Sequence, residues 1–535
     1  MAEAIDKTRM SIDHLDQRAY LAIPERLNIA EAIVDRHVDA GRGGKIAVYF
    51  GERPYTYAHL RALSNRFGNV LRGLGVGRGD TVLLRLGTNL HTMVAVIGAM
   101  KIGAVAIPSS FLFREHEVEK ILRNSDAVVA LSMPELAEPI VKVRDRAPAL
   151  RHLILSGGEG ATSWDCLMES ASDDLTPEAT RADDPALIIY TSGTTGDPKG
   201  VVQAHRWLIG TGDPVNREMT HLRPDDICYQ PQDWSFMYPM GSSFLHPLFV
   251  GATVVVGEGR FDPEVALATI EKYGVSVFAA VPTIYRLMLA ASGDRHRLER
   301  LRMGISAGEA LPADTFNGWR DRFGVTIYDG LGQTESHIFI ANRIEMTIKP
   351  GSMGKPLPGF EVGILDDAGN PQTLGTPGHL VLRNNHPGLT LGYRKDAERW
   401  AAVNRDGWYY TSDIAYADDD GYYWYVSRSD DLIKSRAYLV SPKEVESALL
   451  EHPAVLEAAV VGVADAAVTE RIKAFVTLKS GYAAGAGLAE EIRGYVRGVI
   501  APYKVPQEIE FLDDLPKTAN GKILRRELRT RATTS

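Results

Sequence analysis

The chain has 535 residues, 45% of them apolar and 24% charged, and carries a net charge of −9. That length exceeds what one hydrophobic core supports, so two or more domains are expected. The mildly acidic balance offers no attraction to nucleic acid or to an anionic membrane, and neither partner is expected. Cys166 and Cys228 make neither a metal-ligand spacing nor a disulfide framework, and the histidines show no zinc spacing. A reducing cytoplasm fits that usage. The N-terminus lacks a basic start followed by an apolar core, so no secretory signal is read there. Met93 to Pro108, the longest apolar stretch, is interrupted by Lys101 and is too short to span a bilayer. It reads as a core helix running into a buried strand.

Through the first 300 residues, short β-branched runs alternate with helical patterns. Thr81–Leu84, Ala127–Leu131, His152–Leu155, Thr253–Val256 and Val277–Val281 read as buried strands. Thr92–Ile102, Glu115–Asn124 and Glu264–Tyr273 read as helices between them. This rhythm predicts layered α/β structure with largely parallel sheets. From about Ile344 to Tyr425, glycine and proline become dense and strands come without long helices, which predicts a β-rich subdomain. A small α+β module follows. Its first helix, Pro442–His452, starts with Ser441 as N-cap and Pro442 in the first turn. Strands are expected at Ala458–Val463 and Ala474–Leu478, a flexible loop at Gly481–Gly487, a helix at Leu488–Val499, and a fraying basic tail after Arg525.

The strongest chemical signal is Tyr190-Thr191-Ser192-Gly193-Thr194-Thr195-Gly196-Asp197-Pro198-Lys199-Gly200, which follows the apolar run Ala186–Ile189. Glycines let backbone N–H groups turn toward one point, and hydroxyls and a lysine add donors, so such a loop suits phosphate oxygens. Pro198 before the lysine and Gly200 after it separate this loop from the GxxxxGK[ST] type.

The loop resembles the phosphate loop of the adenylate-forming superfamily of acyl-CoA synthetases, adenylation domains and luciferases. Four further stretches resemble that superfamily's motifs, in the same order. Ser306-Ala307-Gly308-Glu309-Ala310 is similar to the segment on which adenine stacks. Asp329-Gly330-Leu331-Gly332-Gln333-Thr334-Glu335 is similar to the next motif. By that likeness Asp329 meets the adenine amino group, Thr334 the α-phosphate and Glu335 a magnesium ion. Thr411-Ser412-Asp413 resembles the ribose motif, with Asp413 on the ribose hydroxyls and Arg428 as a second contact. Pro516 to Lys522 resembles the C-terminal motif whose lysine serves adenylation. The resemblance implies a large ATP- and acid-binding domain over residues 1–428 and a mobile C-terminal domain over 429–535, hinged near Asp430. It implies ATP, magnesium and coenzyme A as cofactors and co-substrates. The chemistry agrees: two anions must meet at the α-phosphorus, so a metal and lysines are needed to screen charge.

Asp329-Gly330-Leu331-Gly332 with His337-Ile338-Phe339, and the early Ala40 to Lys45, resemble benzoate-type CoA ligases. Ala501 to Pro506 resembles both these and medium-chain acyl-CoA synthetases. The expected substrate is therefore a hydrophobic acid, with Trp234, Phe236, Met237 and Tyr238 as candidate pocket walls. His205 reads chiefly as a packing residue. One loop departs from the family pattern. Ser427-Arg428-Ser429-Asp430 lacks an expected glycine, and Lys434-Ser435-Arg436-Ala437-Tyr438 puts Ala437 where relatives carry glycine, with bulky Arg436 before it. In the superfamily this loop serves the thiol step, so the balance of the two half-reactions stays open. An enzyme running one half-reaction with a partner enzyme, a luciferase-like or carrier-loading relative, and a non-catalytic nucleotide-binding regulator stand as alternatives. A homodimer is also left open.

Overall fold

The computed structural model describes residues 21–157, 160, 163–192, 198–257, 259, 261–291, 296–429, 431–435, 438–465, 469–517 and 523–534. Its strands form four sheets among these residues. The first runs in the order Gly392–Tyr393, Pro198–Ala204, Pro185–Ser192, Val105–Pro108, Thr81–Arg85, Val129–Ser132, His152–Leu155. The second runs Lys355–Pro356, His337–Ala341, Ile327–Gln333, Met303–Ala307, Val277–Ala280, Ile227–Tyr229, Thr253–Val256, Ile46–Phe50, Arg53–Thr56. In the first, the strands from Pro185–Ser192 to His152–Leu155 pair parallel and the other edge is antiparallel; in the second, the inner strands pair parallel and both edges antiparallel. Helices connect the parallel strands, as crossover geometry requires. The expectation of layered α/β structure holds. A third, antiparallel sheet over Val362–Arg428 takes up most of the predicted β-rich stretch, while Lys355–Pro356 joins the second sheet and Gly392–Tyr393 the first.

Local signals placed several elements well. His152–Leu155 and Thr253–Val256 are strands with the predicted bounds. The helix Pro442–Leu450 begins where Ser441 Oγ accepts from the Glu444 N–H. The apolar stretch resolves into the helix Leu90–Lys101, buried on all sides, and the strand Val105–Pro108. No helix among the described residues is long and apolar enough to cross a membrane.

Lys101 is fully buried, and its ammonium donates to Asp35 Oδ1 at 2.7 Å and Asn65 Oδ1 at 2.5 Å. Lys101→Met should destabilise the fold by about 3–5 kcal/mol, since it leaves the Asp35 carboxyl buried without its cation. Urea unfolding monitored by circular dichroism measures this; a loss below about 1 kcal/mol would contradict it.

The C-terminal module corrects one expectation. The tail does not fray: Arg525–Thr534 is a helix. Leu528 and Ala532, four residues apart, pack on Val461 and Phe475, and three of the helix's four arginines find a carboxylate: Arg525 on Glu446, Arg529 on Asp431 and Arg531 on Glu510. The basic composition hid an apolar stripe at helical spacing. The module's sheet pairs Val455–Asp465 with Thr469–Leu478, which also takes Glu508–Phe511 in parallel.

Candidate active site

A cavity of about 580 Å³ opens where the second and third sheets meet the C-terminal module. The predicted phosphate loop spans an antiparallel pair in which Thr191 lies opposite Lys199 and Ser192 opposite Pro198. Gly193, Thr194, Thr195 and Gly196, between them, lie outside the described residues. Gly200 is needed for close approach, because a Cβ there would stand 2.9 Å from the Tyr190 ring. Thr191 and Lys199 both face the cavity, and the Thr191 hydroxyl is buried without a hydrogen-bond partner among the described residues.

Across the cavity the strand Ile327–Gln333 turns back into His337–Ala341 with a register shift after Leu331. A Cβ on Gly332 would stand 2.3 Å from the His337 carbonyl oxygen, so only glycine permits this tight return. The return sets Thr334 and Glu335 at the tip, facing Lys199. The Lys199 ammonium donates to Glu335 Oε1 at 2.7 Å, and the Tyr393 hydroxyl donates to the same oxygen at 2.8 Å. Burial alone would raise the Glu335 pKa, but the Lys199 charge and the Tyr393 hydroxyl outweigh it and hold the carboxyl below its usual value.

Asp413 is clamped from both sides. Gln333 Nε2 donates to its Oδ2 at 2.6 Å and Arg428 Nη1 to its Oδ1 at 3.2 Å. The clamp follows from register, since Asp413 and Arg428 are direct partners on neighbouring strands. Gln333 is itself fixed by the Tyr409 hydroxyl, 2.7 Å from its Oε1. Asp329 is different: burial pushes its carboxyl up to about 7, and Oδ1 has no hydrogen-bond partner among the described residues. Gly308, Glu309 and Ala310 follow the strand Met303–Ala307 on the cavity wall, and Thr283 Oγ1 donates to Glu309 Oε2 at 3.2 Å. Gly330, Leu331 and Gly332 also line the cavity.

The apolar end of the cavity is walled by Phe236, Met237, Tyr238, Val281 and Ile338. Tyr238 is fixed by its hydroxyl, which donates to the Ile305 carbonyl at 3.0 Å. Trp234 does not join them. Its ring is buried against Phe244, with Nε1 donating to Ser243 Oγ at 3.0 Å. A loop position adjacent to pocket residues turned inward because the apolar ring finds more contact in the core. His205 is fully buried and accepts from the Ile29 N–H at 3.1 Å, a packing role.

From the C-terminal module the cavity receives Pro442, Lys443, Glu446, Ile523 and Arg525. Ser435 is buried on the strand Ile433–Ser435, whose described residues do not line the cavity. The side chains of Ser192, Lys434 and Tyr438, and all of Asp430, Arg436, Ala437 and Lys522, lie outside the described residues. Several wall residues had no sequence motif to announce them: Tyr393, Tyr409, Arg286 and Lys443. Tyr393 sits 194 residues from Lys199 and reaches it because Gly392–Tyr393 pairs with the strand carrying Lys199. No short window could show that.

The geometry matches known proteins over almost its whole length. Two family models fit in order, AMP-binding enzyme over residues 34–394 and AMP-binding enzyme C-terminal domain over residues 444–522. The chain is 39% identical over 522 residues to a benzoate–CoA ligase of Thauera aromatica, covering 97% of this chain and 98% of that one. It is 36% identical over 521 residues to an acetyl-coenzyme A synthetase of Bacillus subtilis, covering 94% of this chain and 90% of the relative. The crystal structure of the anthranilate CoA ligase AuaEII in complex with anthranoyl-AMP matches with a TM-score of 0.90 at 34% identity, over 96% of this chain and 98% of that one. A benzoate CoA ligase from Burkholderia xenovorans LB400 matches with a TM-score of 0.85 at 32% identity, over 94% of this chain and 99% of that one. The chain belongs to the AMP-binding enzyme family, as an ATP-dependent acid–thiol ligase of the acyl-CoA synthetase kind.

Proposed function

We propose that this ligase activates a hydrophobic, ring-bearing carboxylic acid and transfers it to coenzyme A. The observation that carries this reading is the apolar end of the cavity, Phe236 to Tyr238 with Val281 and Ile338, beside the polar groups at Thr191, Lys199 and Glu335. The named activities of the benzoate and anthranilate ligases support it. An acid carboxylate oxygen attacks the α-phosphorus of ATP, the bond to the pyrophosphate oxygen breaks, and acyl-AMP and pyrophosphate form. The thiol then attacks the acyl carbonyl and AMP leaves.

In this reading Thr191, Lys199 and Thr334 bind phosphate oxygens. Asp329, buried with a free acceptor oxygen, takes the adenine amino group, beside Gly308–Ala310. Asp413, held by Gln333 and Arg428, accepts from the ribose hydroxyls. Glu335 and the unpartnered Thr191 hydroxyl are hard oxygen donors and fit magnesium, which is held in such sites by one or two carboxylates plus substrate phosphates. When bound, the metal lowers the charge on the phosphate oxygens. Lys522, by resemblance, serves the bridging oxygen and the acid's carboxylate.

The domain boundary near Asp430 is part of the proposal. What supports it is that Tyr423–Arg428 pairs within the third sheet while Ile433–Ser435 pairs within the C-terminal one. Ile523 and Arg525 on the cavity wall support an arrangement suited to adenylation, with the 433–440 hairpin serving the thiol step after rotation.

The test is a panel of benzoate, cyclohexanecarboxylate, hexanoate, acetate and malonate, assayed for CoA thioester and for acid-dependent pyrophosphate release. Burying a six-carbon ring in place of a methyl group is worth about 0.8 kcal/mol per CH₂, so kcat/KM for the ring acids should exceed that for acetate by orders of magnitude. A best kcat/KM on acetate or malonate would overturn the reading.

A further inference from the structure

Three groups close a triangle in the candidate active site. Lys199 Nζ lies 2.7 Å from Glu335 Oε1 and 3.1 Å from the Tyr393 hydroxyl, which lies 2.8 Å from the same Glu335 oxygen. The ammonium also stands over the Tyr393 ring, 4.6 Å from its centroid. The tyrosine is fixed from behind: its ring packs edge-on against Trp400 at 5.3 Å, and its strand pairs with Val201 and Val202 next to Lys199. The Thr390 N–H holds the Glu335 carbonyl oxygen at 2.7 Å. Both ends of the Gly392–Tyr393 connection therefore grip the acidic residue.

The arrangement poses a problem that the tyrosine solves. Without nucleotide, Lys199 and Glu335 neutralise each other. When ATP arrives with its metal, the ammonium is drawn to phosphate oxygens and the carboxylate is required by the metal, so the ion pair must come apart. A carboxylate released from the lysine would be freer to rotate. A neutral hydroxyl can keep its hydrogen bond to one oxygen without competing with the metal by charge. This is the way outer partners orient ligating carboxylates.

We propose that Tyr393 is a positioning residue for the metal-binding carboxylate, holding Glu335 in its productive rotamer while Lys199 transfers from Glu335 to the phosphates. The proposal rests on the assignment of Glu335 to the metal. Loss of such an outer hydrogen bond weakens metal affinity by about 10–100-fold in comparable sites. Tyr393→Phe keeps the ring and its packing on Trp400 and deletes only the hydroxyl.

The experiment measures Mn²⁺ binding in the presence of ATP by electron paramagnetic resonance, with no acid present, and separately the Mg²⁺ dependence of pyrophosphate exchange. In Tyr393→Phe, Mn²⁺ affinity should fall and the Mg²⁺ concentration for half-maximal exchange should rise, each about tenfold, with most of the rate recovered at saturating metal. A merely structural role would lower the rate at every metal concentration. The same substitution in a Glu335→Gln background should add little, because the carboxylate it orients is gone. A metal requirement that does not move, or a full additional loss in the Glu335→Gln background, overturns the positioning role while leaving the ligase assignment standing. A natural-sequence protein that binds Mn²⁺ no better with ATP than without would instead overturn the reading of the site itself. If Tyr393→Phe melts well below the natural sequence, the effect of Trp400→Phe on the same Mn²⁺ titration separates packing from hydrogen bonding: packing alone predicts equal losses, and equal losses overturn the proposal.

Discussion

Replacing Glu335 by glutamine should lower acid-dependent pyrophosphate exchange about 10²–10³-fold, the scale on which single charge-stabilising groups act. Two effects combine. Glutamine presents a neutral amide where a carboxylate is proposed to hold the metal that screens the triphosphate. It also removes the anion 2.7 Å from Lys199, leaving a partly buried ammonium with the Tyr393 hydroxyl and no counter-charge. The side chain is nearly isosteric, so the hairpin tip should keep its shape, and thermal unfolding monitored by circular dichroism checks that. The loss should be visible at saturating ATP and acid, because the group acts on charge that develops at the α-phosphorus. A rate within threefold of the natural sequence, in a variant that is folded, would remove Glu335 from the metal site.

Lys522→Ala should be the most selective change. Acid-dependent adenylation should fall by about 10²–10³-fold or more, while thioester formation from a supplied acyl-adenylate falls far less. Lys522 lies outside the described residues, but Lys517 before it and Ile523 and Leu524 after it are anchored. Lys517 donates to Glu457 and Asp514 at 2.8 Å, pairs as an isolated bridge with Ile523, and Leu524 N–H donates to the Pro516 carbonyl at 2.8 Å. Ile523 then stands on the cavity wall. In the proposed reading Lys522 serves adenylation and leaves on rotation of the C-terminal domain before the thiol step. Assaying the two half-reactions separately decides the matter: equal losses in both would refute a lysine that serves adenylation alone. Arg436 and Ala437 are expected to unbalance the two half-reactions, and the same pair of assays reads which one they affect.

Much of the site was legible in short windows of sequence because the chemistry itself is local. A phosphate loop needs its glycines, hydroxyls and lysine within about a dozen residues, and the Asp329–Glu335 and Thr411–Asp413 strings likewise bring several ligand groups on one strand or hairpin. Of these strings, Thr191, Lys199, Asp329–Glu335 and Thr411–Asp413 line one cavity. Helix starts and buried strands were legible for the same reason: Ser441 and Pro442 act on the first turn alone, and an unbroken β-branched run such as Thr253–Val256 has few ways to fold. The tail after Arg525 was misread because its apolar pair, Leu528 and Ala532, is small beside its arginines, and the partners that hold the helix, Val461 and Phe475 for the apolar pair and Glu446, Asp431 and Glu510 for the arginines, lie elsewhere in the module.

What the sequence alone determined, then, is the adenylate-forming identity and the order of its motifs, since each motif is a contiguous string of residues that carries the resemblance by itself. The tertiary structure decided which side chains meet across sheets. Lys199 and Glu335 are 136 residues apart and Tyr393 lies 58 beyond Glu335, yet all three share one oxygen. Trp234 turned into the core while Phe236 and Tyr238 faced the cavity. Contacts of that range depend on strand register and on the packing of whole layers, and no local propensity or spacing carries that information.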